Sequence, residues 1–369
     1  MEQQNQRILP SVKDKSREDQ LQFLRFLAFL NVFITHAERF LFFPYRATFS
    51  AQAAVSFFFM LSGVVAGYSL VGKYVIPDVR NVAGFLWKKI RKVYPLYFLT
   101  TMFAVIFTQI PEQVMRCDFS GLHSPLLQLS RNLLLIQSWF PENAHSFNTV
   151  GWFLSVLVFL YALTLPVAWV LNRLNSSKHR NLLLPGLFVG ISFGMVFYCY
   201  MVRGDRMSFW HNQFPPARLG EYCLGMIMGF AARQDKEKLP RGRFWTILFT
   251  VLEVGVLLFW YSSLGRPGNY WRHKIISWML PNILVLAVYL SGQGWISRLF
   301  RRKELVYLGD ISFECYLLHQ LIIVRFAVNL ADVETSLPGN LFVFLFSLLF
   351  SVLMACFIHG QRSAGKTKA

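Results

Sequence analysis

Two ionisable residues stand inside an otherwise apolar run near the N-terminus, LRFLAFLNVFITHAERF, where Arg25 is followed eleven positions later by His36. An ionisable side chain in the hydrocarbon of a membrane costs roughly 2.5 to 3.5 kcal/mol at a helix centre, so each is expected to face a bundle interior. At about 100° per residue, eleven residues end about 20° past three full turns, which puts both on one helix face about 16 Å apart along the axis. A neutral imidazole can take a proton from a hydroxyl, and a guanidinium can hold an anion. Taken singly, each has a plainer account: an Arg at a helix end snorkels to the interface, and a lone His is often a satisfied core residue. The shared face is what the plainer accounts leave unexplained.

A basic run, WKKIRKVYPLY, places Lys88, Lys89, Arg91 and Lys92 within five positions. Such a cluster can hold phosphate groups, or it can serve only to anchor the following helix on the cytoplasmic side. Arg218 and Glu221 are three apart, and Gly225 and Gly229 continue the same stripe, as expected of a pair in a closely packed helix. Ser312, Tyr316 and His319 form another stripe, with His319 deep enough in an apolar block to need a hydrogen-bond partner. Glu253 stands alone in TVLEVGVLL, where a packed site could keep it protonated. No HExxH, EF-hand or GxSxG pattern occurs, and no metal is expected. The tail GQRSAGKT fits the phosphate-loop pattern, but only Lys368 and Ala369 follow, so no helix N-terminus is available to cradle a phosphate.

The elements that must position these residues are membrane helices. Of 369 residues, 54% are apolar and 15% charged, and the mean hydropathy is +0.41, values foreign to soluble domains. Apolar blocks predict ten spans near 21 to 43, 49 to 72, 93 to 110, 150 to 172, 181 to 203, 216 to 233, 243 to 263, 275 to 291, 306 to 330 and 337 to 360. The stretch 126 to 140 carries Arg131 and is too short to span, so it reads as a re-entrant or interfacial segment. The expected fold is therefore all-α: a polytopic membrane helix bundle of about ten transmembrane helices plus that short segment. Residues 1 to 20 form a polar cytoplasmic tail, 21 to 360 one transmembrane domain, and 361 to 369 a basic cytoplasmic tail. The polar start does not read as a cleavable signal peptide.

With the N-terminus inside, the inner segments hold 25 Lys and Arg and the outer loops eight, with Arg25, Arg39, Arg218 and Arg325 inside spans. Counting 126 to 140 as a full span would invert every later loop against the positive-inside rule. Topology thus accounts for the net charge of +18, and no nucleic-acid partner is expected. The five cysteines show no CxxC spacing, and four sit in apolar blocks, so they read as packing residues.

The order of these motifs resembles acyltransferase family 3, integral-membrane enzymes that acylate sugars outside the cytoplasm. Arg25 and His36 resemble the family's first-helix signature, SFFFMLSGVVAGYSL (56 to 70) its second helix, and WKKIRKVYPLY (87 to 97) its basic run before a Pro. LLLIQSWFP and NTVGWFLSVLVFLY (133 to 161) are similar to the approach to its Trp-Ser-Leu-Ser-Val-Glu helix, which matches Trp152 and Ser155 here. ARLGEYCLGMIMG (217 to 229) and LGDISFECYLLHQLII (308 to 323) resemble two later motifs. The chain departs from the pattern in four ways. Lys89 and Lys92 stand where the family has Arg, and Leu157 where it has a carboxylate; the final helix ends FIHGQR rather than Glu-x-Pro, and no hydrolase-like domain is expected after it.

The resemblance implies an O-acyltransferase of a bacterial cytoplasmic membrane, with both termini cytoplasmic. It would move an acyl group, in the first instance acetyl, from cytoplasmic acyl-CoA to a hydroxyl of a cell-envelope glycan or lipid-linked sugar. No permanently bound cofactor is implied. His36 would act as general base, Arg25 would meet the donor, and Lys88, Lys89, Arg91 and Lys92 would hold its phosphates. Trp152, Ser155, Arg218, Glu221, Ser312, Tyr316 and His319 would contact substrate or support the site. The competing expectation is a secondary transporter or a lipid or sugar flippase, which would share the spans and buried charges; no internal repeat between the halves argues for it.

Overall fold

The computed structural model describes residues 18–37, 51–73, 75–107, 124–174, a few positions between 190 and 201, 207–235, 238–263, 278–330 and 337–367. Among them every regular element is helical. The principal helices are α1 Gln20–Ala37, α2 Ala51–Leu70, α3 Val79–Phe107, α4 Pro125–Leu133, α5 Trp152–Arg173, α6 Met207–Asn212, α7 Leu219–Asp235, α8 Arg243–Ser263, α9 Leu280–Ser291, α10 Trp295–Phe300, α11 Lys303–Leu330 and α12 Leu337–Thr367. The expected span at 181 to 203 falls almost wholly outside the described residues.

Four of these helices are long and apolar enough to cross a membrane, over Ala51–Leu70, Thr149–Arg173, Arg243–Ser262 and Pro338–Arg362. Others, such as α1 with Gln20, Gln22, Arg25, Asn31 and His36, carry the polar groups that set the functional helices apart from simple anchors. Burial sorts the four by depth. The apolar stretch of α2 is 78% buried and that of α8 only 11%, so α2 runs through the middle while α8 turns Val251 and Leu258 outward toward lipid.

Helix α3 differs from the expected loop and span. The basic run is helical, and the helix continues through Pro95 without ending. The charged residues 88 to 92 lie within this helix and conceal its first half from a hydropathy reading. The C-terminal tail differs in the same way: α12 runs on to Thr367, so GQRSAGKT lies within a helix rather than in a phosphate-binding loop. The short segment is too short to span, as its length in the sequence suggests. Helix α4 has nine residues, about 13 Å, against the 30 Å or so of a bilayer core. The chain then turns back through Leu135 at φ 57° and a 3-10 turn at Gln137–Trp139.

Helices α2 and α7 form the closest pairing. A Cβ added to Gly63 would overlap the carbonyl of Tyr222, one on Gly67 that of Met226, one on Gly225 that of Met60, and one on Gly229 that of Val64. Two Gly-x-x-x-Gly stripes therefore interlock, backbone against backbone, between parallel helices, the geometry that small residues permit in lipid. Helix α1 packs along α11 in the same sense, with Gly309 pressed on the backbone of Gln22 at the inner end. This parallel register carries α1 and α11 side by side up to His36 and His319.

Candidate active site

His36 and His319 meet at the outer part of the α1–α11 seam. Nδ1 of His36 lies 2.8 Å from Nε2 of His319, and the two rings stack at 5.1 Å between centroids and 10° between planes. Nδ1 of His319 lies 2.7 Å from the carbonyl oxygen of Tyr316, one helical turn back. A carbonyl only accepts, so His319 carries its proton on Nδ1 and, as a neutral ring, offers the lone pair of Nε2. The Nδ1 of His36 must then be the donor, and the lone pair of His36 falls on Nε2. This chain fixes the imidazole in the tautomer a general base requires, the part usually taken by a carboxylate behind the histidine. Phe29 and Phe33 stand against the His319 ring, at 5.7 and 6.2 Å, and hold it in place.

On the Arg25 side of this pair lies a cavity of about 410 Å³. Its polar lining includes Arg25, Lys89, Lys92, Asp310, Glu314 and Arg362, and its apolar wall includes Phe58, Leu135, Phe153, Leu154 and Leu157. Arg25 donates to Gln22 Oε1 at 3.0 Å from within α1. Lys89 lies over the rings of Phe85 and Tyr161 at 5.3 and 5.4 Å. Burial, and next the charge of Lys92, hold Lys89 below the usual lysine range. The aromatic rings of Phe58, Phe153 and Tyr316 form a triangle with centroid separations of 5.3 to 6.1 Å. Tyr316 belongs both to the cavity wall and, through its ring 5.8 Å from that of His319, to the histidine pair. The triangle is thus the septum between the cavity and the histidine pair.

The expected site residues divide. Arg25, Lys89, Lys92, Ser312 and Tyr316 line the cavity; Lys88 and Arg91 are exposed on other faces of α3 and do not. Residues 89 and 92 are the two positions three and six before Pro95, and that i, i+3 spacing is what turns both toward the cavity. Ser312 donates to the Gly309 carbonyl at 2.7 Å. Trp152 and Ser155 take structural positions: the Trp152 carbonyl accepts from Ser138 Oγ at 2.8 Å, and Ser155 Oγ accepts from the Ser138 amide at 3.3 Å. They anchor the loop that follows α4, which Tyr94 and Tyr97 also hold through the carbonyls of Leu133 and Asn132.

Arg218 and Glu221 form a completely buried ion pair, with Nη1 2.9 Å from both carboxylate oxygens and Nε donating to the Asn212 carbonyl at 2.8 Å. Arg218 lies in a 3-10 turn, Pro215–Arg218, just ahead of α7, so the pair ties the outer loop to that helix. Glu253 also has a structural place. Its carboxylate accepts from the amides of Gly294 and Ser297 and from Ser297 Oγ, capping the start of α10.

Several cavity residues are not among those conspicuous in the sequence. Asp310 and Glu314 are i, i+4 on α11 inside the motif already singled out, and Glu314 is an ionisable residue in the apolar block ISFECYLL, a signal that could have found it. The carboxylates of the cavity come from this helix and not from α5, where Leu157 stands. Arg362 was legible only as one of several tail cations. On the outer side, Gln213 Nε2 donates to His145 Nε2 at 3.0 Å, and His145 lies within electrostatic reach of His36. Among the described residues no group of three or more His, Cys, Asp or Glu has a metal-binding arrangement.

A helical membrane scaffold with a paired, oriented histidine above a cation-rimmed cavity is the outline of a membrane acyltransferase. The model of the acyltransferase-3 family, described as an acyltransferase domain, matches residues 18–358, and the chain belongs to that family. It is similar to the acyltransferase MdmB of Streptomyces mycarofaciens, at 27% identity over 323 residues, covering 81% of this chain and 77% of that one. It is also similar to the O-acetyltransferase OatA of Staphylococcus aureus strain NCTC 8325 / PS 47, at 22% identity over 321 residues. That match covers 82% of this chain and 50% of OatA, so the chain spans half the length of that relative. No solved structure matches the chain. Membership makes it a membrane-associated acyltransferase, and the transporter alternative is dropped.

Proposed function

We propose that the protein transfers an acyl group, in the first instance acetyl, from acyl-CoA to a hydroxyl of a cell-envelope glycan or lipid-linked sugar. Support comes above all from the tautomer chain Tyr316 carbonyl, His319, His36, which leaves the lone pair on His36 Nε2. His36 Nε2 takes the proton of the sugar hydroxyl as its oxygen bonds to the thioester carbonyl carbon. The C–S bond of the tetrahedral intermediate then breaks, and the proton passes to the departing CoA thiolate. His319 acts as a positioning residue: its Nε2 accepts the His36 Nδ1 hydrogen and stabilises the imidazolium that forms.

In this reading the donor enters from the cytoplasm. Arg25, Lys89 and Lys92 meet its phosphates, and the acyl-pantetheine arm extends up the apolar wall toward Tyr316. Both termini are cytoplasmic, the membrane is the bacterial inner membrane, and the chain crosses it about ten times, as the Lys and Arg distribution favours. The relative named an O-acetyltransferase supports acetyl transfer to an oxygen acceptor.

The test uses purified protein in detergent with radiolabelled acetyl-CoA and envelope fractions as acceptor. Wild type should transfer label. His36→Ala should lose roughly 10² to 10⁴ in rate with donor affinity intact, whereas Arg25→Ala should lose mainly donor affinity. Full turnover in His36→Ala would place the base elsewhere, and loss of donor binding in both variants would make the pair structural.

A further inference from the structure

Arg362 reaches the donor cavity from the cytoplasmic end of α12, and no motif of the chain assigns it a part. Its Nη1 lies 2.8 Å from Glu314 Oε1, and His359 Nδ1 lies 3.7 Å from the same oxygen. The Glu314 side chain is 6% exposed and that of Arg362 30%, so the carboxylate is fixed in the wall while the guanidinium has room to move. Four cations line the cavity (Arg25, Lys89, Lys92, Arg362) together with two carboxylates (Asp310, Glu314). A guanidinium grips a phosphate through two parallel N–H donors, which the two lysines cannot do.

We propose that Arg362 is a phosphate-binding residue of the donor site, parked on Glu314 while the cavity is empty and transferred to a phosphate of the acyl-CoA nucleotide when the donor enters. The proposal rests on the reading of this cavity as the acyl-CoA site. Glu314 is then a competitor for the guanidinium, so it weakens donor binding through Arg362 in particular. A merely structural Arg362 would only neutralise Glu314, and that difference can be measured.

Binding of CoA, 3′-dephospho-CoA and pantetheine to the full-length protein in detergent is compared for wild type, Arg362→Gln, Glu314→Gln and the double variant. Arg362→Gln should weaken CoA about tenfold and leave pantetheine unchanged, the size expected of a charge-assisted hydrogen bond to phosphate. Glu314→Gln should tighten CoA, and that gain should vanish in the double variant, which carries a neutral wall and is the control for folding. A CoA loss that shrinks with 3′-dephospho-CoA assigns the 3′-phosphate as the ligand, and one that persists assigns the diphosphate. If the double variant binds CoA as wild type does, or Glu314→Gln tightens CoA equally without Arg362, the proposal is overturned while the donor site stands. Wild type that binds no CoA overturns the reading of the cavity itself.

Discussion

His319 Nε2 and His36 Nδ1, 283 positions apart in the chain, share one hydrogen across 2.8 Å. Two neutral rings can make that bond with either one as donor, and the Tyr316 carbonyl, which takes the Nδ1 hydrogen of His319, makes His319 the acceptor. The His36 ring is thereby oriented by a second histidine rather than by a carboxylate. The arrangement suits a membrane interior, where a buried carboxylate would need compensation of its own.

His319 can therefore be separated from the base it supports. His319→Ala should lower the rate of acetyl transfer about 10²-fold while leaving acetyl-CoA affinity unchanged, because the His36 ring loses its tautomer and orientation but not its place. His319→Gln supplies a carbonyl oxygen that can accept the His36 Nδ1 hydrogen and should recover part of that rate. Equal turnover in wild type and His319→Ala would remove the relay.

Lys89 gives a pH test. Its proton leaves more easily than that of an ordinary lysine, because burial and Lys92 disfavour the charge in the empty site. The charged form is the one that binds phosphate, so donor affinity should fall as pH rises through the lowered value. Lys89→Arg remains charged throughout and should hold its affinity over a titration from about pH 7 to about pH 10. Parallel profiles for the two proteins would take Lys89 out of the donor site.

Much of this was open to a reader of the sequence, and the reasons for the exceptions are physical. Arg25 and His36 were legible because two ionisable residues on one face of an apolar helix have few reasons to be there. The Gly225 and Gly229 stripe announced a close helix contact, although its partner, Gly63 and Gly67, could be paired with it only by the fold. Pairing across the chain is what a linear reading lacks. Nothing in the spacing of residue 36 from residue 319 says that they touch, and nothing in the run 88 to 92 says which lysines face inward until α3 continues through Pro95. Trp152, Ser155, Arg218 and Glu221 stand in conspicuous motifs, yet their hydrogen bonds go to the loops they anchor.

The glycine seam predicts a sharp contrast in stability. Gly63→Ala would drive a methyl into the Tyr222 backbone and must separate α2 from α7, at a cost of about 1 to 3 kcal/mol or more. Gly255→Ala in α8 meets nothing within 4 Å and should be neutral or stabilising by up to about 1 kcal/mol through helix propensity. Thermal unfolding of both variants in the same detergent checks this. Comparable midpoints would mean that the α2–α7 contact yields without strain.

Orientation in the membrane decides whether the cation-lined cavity faces the compartment where acyl-CoA is made. The inner segments hold 25 Lys and Arg against eight in the outer loops, so positions 80 and 237 are expected in the cytoplasm and position 268 outside. In a background with the five native cysteines replaced, single cysteines at 80 and 237 should resist an impermeant thiol reagent in intact cells and react after permeabilisation. A cysteine at 268 should react in both conditions. Residue 80 lies in the first turn of the same helix that carries Lys89 and Lys92, so it reports on the side from which those lysines are reached. Labelling at 80 but not at 268 in intact cells would turn the cavity toward the outside, where no acyl-CoA is available, and the donor would have to be another acyl carrier.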